Sequence, residues 1–180
     1  SNKAKNANLQ RCAEAFSFLQ SKNLYTVDDL ETTLHAMQDK IDTLKKSAST
    51  KQSRIKEVNE LLRMVDYYKS GKPAADKLKS IRFEKSRQKY KTEHDDVLRT
   101  FYMAERKLKP YFKDGKLPIA AWRKERAQLE QEYKNIQTEL APLHADTKKL
   151  WAIHYNIYEV QHEQERQNTA TRQKKQEIEH

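Results

Sequence analysis

Residues 30–65 read LETTLHAMQDKIDTLKKSASTKQSRIKEVNELLRMV, and the spacing of their apolar positions decides the fold. Those positions are Leu30, Leu34, Met37, Ile41, Leu44, Ala48, Ile55, Val58, Leu62 and Val65, with one polar interruption at Lys51. The steps alternate between four and three. Helices wound around one another repeat a side-chain direction every 3.5 residues, so this spacing holds a narrow apolar seam in register for five heptads. A strand would need a period of two. The stretch therefore predicts one long helix packed in coiled-coil fashion.

Composition extends that reading to the whole chain. Of 180 residues, 34% are charged and 36% hydrophobic, with only two glycines and four prolines. So little Gly and Pro builds few turns, and so few apolar residues fill a thin seam rather than a wide globular core. The expected fold is all-α: an elongated, antiparallel, three-helix coiled-coil-like bundle with a short additional N-terminal helix.

The helix boundaries follow from local signals. A short helix is expected over about 7–21, with the apolar series Leu9, Cys12, Phe16 and Leu19, ending at Lys22-Asn23. Thr26 with Asp29 is a capping box that opens the second helix, expected over about 27–69. Ser70-Gly71-Lys72-Pro73 reads as its stop, since Gly suits a left-handed cap and Pro suits the first turn of a new helix. The third helix is expected over about 74–112, with the seam Tyr90, His94, Val97, Phe101, Ala104 and Leu108. Lys113-Asp114-Gly115-Lys116 is the next turn. The fourth helix, about 118–162, carries Trp122, Leu129, Tyr133, Ile136, Leu140, Leu143, Leu150 and Ile157, and Pro142 inside it predicts a kink or a split. Residues 1–162 thus form the bundle, and the polar residues 163–180 form a helical extension or a disordered tail.

Charge is unevenly placed. The net excess is ten positives, and between Ala74 and Lys116 thirteen Lys/Arg stand against seven Asp/Glu. From Leu117 onward the count is ten against ten. Lys77, Lys79, Arg82, Lys85, Arg87, Lys89 and Lys91 fall close together, interleaved with Phe83 and Tyr90. Such a cluster neutralises phosphates without reading sequence, so these seven are the candidate nucleic-acid contacts. Long cationic side chains also cover apolar seams at helix surfaces, which is the plainer use of the same residues. Tyr67, Tyr68, Phe112, Trp122 and Trp151 are the candidates for a protein partner, because large aromatics dominate interface energetics.

The chemistry of catalysis is missing. His35, His94, His144, His154, His162 and His180 include no pair spaced four apart around a Glu, as a helical zinc site requires. Two glycines build no phosphate loop, and no Gly-x-Ser-x-Gly elbow occurs. The tyrosines have no apparent base or metal to activate a phenol of pKa about 10. The chain is therefore read as no enzyme, with no catalytic, metal or cofactor site. A lone cysteine, Cys12, read as a buried small hydrophobe, builds no disulfide framework and fits a reducing, cytoplasmic setting. No apolar run approaches the roughly 18 residues of a membrane helix, so no membrane insertion is expected.

Three stretches carry a resemblance. They are Asn23-Leu-Tyr-Thr-Val-Asp-Asp-Leu-Glu31, Glu60-Leu-Leu-Arg-Met-Val-Asp-Tyr-Tyr-Lys-Ser-Gly-Lys-Pro73, and the run from Phe83-Glu-Lys-Ser-Arg-Gln-Lys-Tyr90 to Leu108. The last continues through Lys116-Leu-Pro-Ile-Ala-Ala-Trp-Arg-Lys-Glu125 and Leu129. From about Cys12 to Tyr133 the chain resembles the helical C-terminal region of relaxase/mobilisation proteins from conjugative elements of Gram-positive gut bacteria. The resemblance rests on apolar and turn residues and on no catalytic signature. It implies that an N-terminal domain, with a metal-holding His cluster and a nucleophilic Tyr, nicks DNA at the transfer origin. Neither feature matches positions here, so no catalytic residue carries over. The implied role is that of an accessory region, which holds transfer-origin DNA, binds relaxosome or coupling proteins, or sets spacing. The alternative is a structural coiled-coil spacer or docking module that binds no nucleic acid, with self-association through an uncovered seam.

Overall fold

A computed structural model describes residues 2–178, with the side chains of 2–5 and 7–9 excepted. The side chain of Leu9, of the expected first seam, and the last two residues of the tail lie outside what is described. Five α-helices follow in order: α1 Asn2–Ser21, α2 Val27–Ser80, α3 Glu84–Glu93, α4 Asp95–Leu108 and α5 Ile119–Ile178, with a 3₁₀ turn at Lys109–Tyr111. No strand forms among the described residues. The fold is an all-α helical bundle.

The chain divides into two compact units, and α2 and α5 each contribute a segment to both. One unit holds α1, the start of α2 to Lys46, and α5 from Gln137. Its core joins Leu24, Leu30 and Leu34 to Leu150, with Phe18, Leu19, Met37, Ile153 and Ile157 packed around them. Asn23 takes a positive φ of 56°, and the Leu24 N–H reaches back to the Leu19 carbonyl at 3.0 Å, closing α1. That left-handed residue lets the chain reverse within a few residues. Thr26 Oγ1 then accepts the Asp29 N–H at 3.1 Å, capping the start of α2. The ion pair Lys40–Glu139 at 2.9 Å, the hydrogen bond between His154 and Glu31 at 3.0 Å and the ion pair Lys22–Asp146 at 2.6 Å run down the flanks. The first two lie in antiparallel order between α2 and α5.

The other unit, Ser47–Ile136, packs α2, α4 and the start of α5 around Val58, Leu61, Met64, Val65, Ala104, Leu108 and Trp122. Lys113-Asp114-Gly115-Lys116 makes the tight turn before α5. Lys113 and Lys116 exchange two backbone hydrogen bonds of 2.9 Å, with Asp114 and Gly115 at positive φ. Lys51, the polar interruption of the seam, leaves α2 unbroken and pairs with Glu132. Arg54 meets both carboxylate oxygens of Glu125, at 2.7 and 3.2 Å, and Glu57 at 3.0 Å. The hydrogen bonds to Glu125, then Glu57, hold its proton more firmly than usual.

Several expectations are corrected here. α2 does not stop at Ser70–Pro73 but runs on to Ser80, with Pro73 inside it. Gly71 occupies a seam position, in the series Met64, Gly71, Ala75 and Leu78, all of them buried. The expected third helix is accordingly α3 and α4, broken at His94, whose φ of −119° and ψ of 23° end one helix and start the next. Past that break Phe101, Ala104 and Leu108 are buried as expected, but Leu98 is buried where Val97 was expected. Pro142 sits on an exposed face and α5 remains one helix across it, continuing through the polar stretch to Ile178. Cys12 and Phe16, expected in the first seam, are exposed, because α1 meets the core through Phe18 and Leu19 at its C-terminal end.

Two carboxylates in the second unit titrate low. Glu60 is held below the usual carboxylate range first by the hydrogen bond from Lys107, and Glu132 by that from Lys51. A lowered folded pKa stabilises above the unfolded value and loses that contribution as pH falls through the folded one. The urea midpoint is therefore expected to drop as pH falls below the ordinary glutamate range. Glu60→Gln together with Glu132→Gln should flatten that drop, and an equally steep profile in the double variant would contradict the assignment.

Candidate nucleic-acid interface

The seven candidate cations lie on the end of α2, the three-residue link Ile81–Phe83 and α3, all within the second unit. α3 carries four of them and buries none of its ten residues. A helix with no buried face is normally unstable by itself, so its attachments matter. Arg87 donates to the Ile81 carbonyl at 2.8 Å and pairs with Glu84 at 3.3 Å. Tyr90 stacks on His94 with centroids 4.0 Å apart, and Lys77 lies over the Tyr90 ring at 5.2 Å. Arg87 and Tyr90 thus hold α3 in place, and Lys77 is partly committed to the same task.

Of the remaining cations, Lys79 and Arg82 stand outside α3, and Lys91 lies on it one turn beyond Arg87. Lys85 and Lys89, four residues apart, share the face of α3 opposite Arg87. Lys89 reaches Glu93 only at 3.9 Å. Lys79, Arg82, Lys85 and Lys91 are exposed, and among the described residues none has a carboxylate at ion-pair distance. Phe83, at the start of α3, is 78% exposed beside them. The cluster offers uncommitted positive charge next to an open aromatic ring. That is the chemistry of phosphate neutralisation with room for stacking.

The candidates for a protein partner separate. Trp122 is 5% exposed and sits edge-on to Tyr111 in the core, so it is no docking residue. Tyr68 stacks on Phe101 at 5.1 Å and meets Phe112 at 5.7 Å, which makes both Tyr68 and Phe112 packing residues. Tyr67 and Trp151 are exposed, one in each unit. Tyr155 and Tyr158 are also exposed, on a face of α5 that lies outside its apolar seam, so the seam spacing does not mark them. Among the described residues no three of His, Cys, Asp and Glu gather as a metal-holding group. None of the described helices is long and apolar enough to cross a membrane.

No family model matches this chain, and no curated protein or solved structure matches it either.

Proposed function

We propose that this chain is a non-catalytic, cytoplasmic DNA-binding module, an accessory region of a conjugative relaxase that holds transfer-origin DNA or its relaxosome partners. One observation carries the DNA-binding part. α3 fully buries no residue, yet it is tied down by Arg87 and Tyr90, so that Lys85 and Lys91 stand unpaired beside Lys79 and Arg82 and Lys89 reaches a carboxylate only at 3.9 Å. A helix that meets the core through Tyr90 alone and keeps most of its cations unpaired at the surface suits a polyanion. The conjugative setting rests on the sequence resemblance alone. The spacer or docking reading is the alternative, and the exposed aromatics of α5 favour it.

Fluorescence anisotropy with duplex and single-stranded oligonucleotides over a salt series tests the proposal. If four cations each neutralise one phosphate, the log–log salt slope on duplex is about −3.6. Reversing Arg82, Lys85, Lys89 and Lys91 to Glu, with Arg87 kept to hold α3, should abolish binding at low salt. A variant that binds as the parent does would overturn this surface. No binding by the parent at low salt would leave the spacer reading.

A further inference from the structure

α5 presents a second stripe that the bundle does not use. Its seam face, Leu150, Ile153 and Ile157, is packed against α1 and α2. About a third of a turn away lie Lys148, Trp151, Tyr155, Tyr158, His162 and Glu165, at steps of three, four, three, four and three. Trp151, Tyr155 and Tyr158 are 44, 60 and 51% exposed. Two of the rings are braced from within: Trp151 edge-on by His154, itself 3.0 Å from Glu31, and Tyr158 by His162 at 4.0 Å.

Composition selects the class of partner. In a chain that is 34% charged, residues 151–162 hold a single formal charge, Glu159. Exposed aromatics with charge depleted among them are the make-up of a protein interface core. With no Lys or Arg between Lys149 and Arg166, the stripe lacks the positive charge that phosphates require.

The opposite charges at its two ends, Lys148 and Glu165, then select the partner. The pattern of steps is the same read in either direction. A two-fold axis between Asn156 and Ile157 would set Tyr155 opposite Tyr158 of a second copy. It would also set Trp151 opposite His162 and, at each end, Lys148 opposite Glu165. Each contact occurs twice, and the terminal pairs join opposite charges. A surface that complements itself under two-fold rotation is what an isologous dimer requires.

We infer that this chain forms an antiparallel homodimer through the Lys148–Glu165 stripe of α5. The inference is independent of the DNA-binding proposal and holds whether or not the cations of α3 meet a polyanion. Sedimentation velocity on the full chain across a wide concentration range should show a monomer–dimer equilibrium. Tyr155→Glu, at an exposed position that leaves the core untouched, should raise the dimer Kd by roughly tenfold or more. Lys148→Glu and Glu165→Lys should each weaken the dimer by bringing like charges together, and the double charge swap should restore it. A monomer at every concentration overturns the inference. So does a dimer that ignores Tyr155→Glu and shows no rescue by the swap, or a stripe whose Tyr155 is needed for oligonucleotide binding by a monomer.

Discussion

Phe101→Ala is expected to lower stability by about 3–5 kcal/mol, read as a fall in the urea midpoint. Phe101 is 2% exposed, on α4, in a cluster with Ala75, Leu78 and Leu98. Its ring stacks on Tyr68 at 5.1 Å and meets Tyr102 edge-on at 5.2 Å. Truncation removes the ring from water-free contact and also strips two aromatic neighbours of their packing. The void cannot collapse easily, because on the α2 side it is bounded by helix backbone at Gly71, which has no side chain to move in. A loss of less than about 1 kcal/mol would mean that the cluster carries little of the fold.

Gly71→Ala is the second. In an exposed helix interior this change would stabilise by about 1 kcal/mol, since Gly is the poorer helix former. Here a Cβ on residue 71 would stand 2.5 Å from the Phe101 Cβ and 3.3 Å from its ring. The nearer atom is fixed to the α4 backbone and cannot rotate away. The helices would have to separate, at a cost of roughly 1–3 kcal/mol that outweighs the gain in propensity. The expected sign is therefore destabilising, by urea or thermal unfolding. Phe101→Ala should not rescue it, because alanine retains the offending Cβ. A stabilised Gly71→Ala would show that α2 and α4 are not held at this distance.

These two residues also explain what the sequence could and could not convey. The seam from Leu30 to Val65 is written in residue spacing, and all ten of its apolar positions are buried or half-buried. The Thr26 cap and the Lys113–Lys116 turn are local chemistry, legible for the same reason. Gly71 and Pro73 look like punctuation because locally that is what they are. Only the approach of α4, thirty residues further on, turns Gly71 into a packing residue. Pro73 and Pro142 fall on exposed faces, and the helices continue across them. Nothing local marks His94 as a helix break, yet Phe101, Ala104 and Leu108 keep the expected register beyond it, and only Val97 gives way to Leu98.

The candidate interface divides along the same line. The position of the basic cluster is visible in the sequence, but the division of labour within it is not. Which cations hold α3 and which stand free depends on where Ile81 and Tyr90 lie in space. Trp122 and Tyr68 likewise resemble anchors for a partner until their neighbours are known.

One consequence of α3 concerns how such a chain changes over generations. Most substitutions are filtered by the stability they remove. Because α3 meets the core through Tyr90 and fully buries none of its residues, exchanges at the exposed Lys85, Lys89 or Lys91 leave the folding balance nearly untouched. The charge of this surface can therefore drift, strengthen or reverse in single steps, each one open to selection on what it contacts and not on whether the chain still folds.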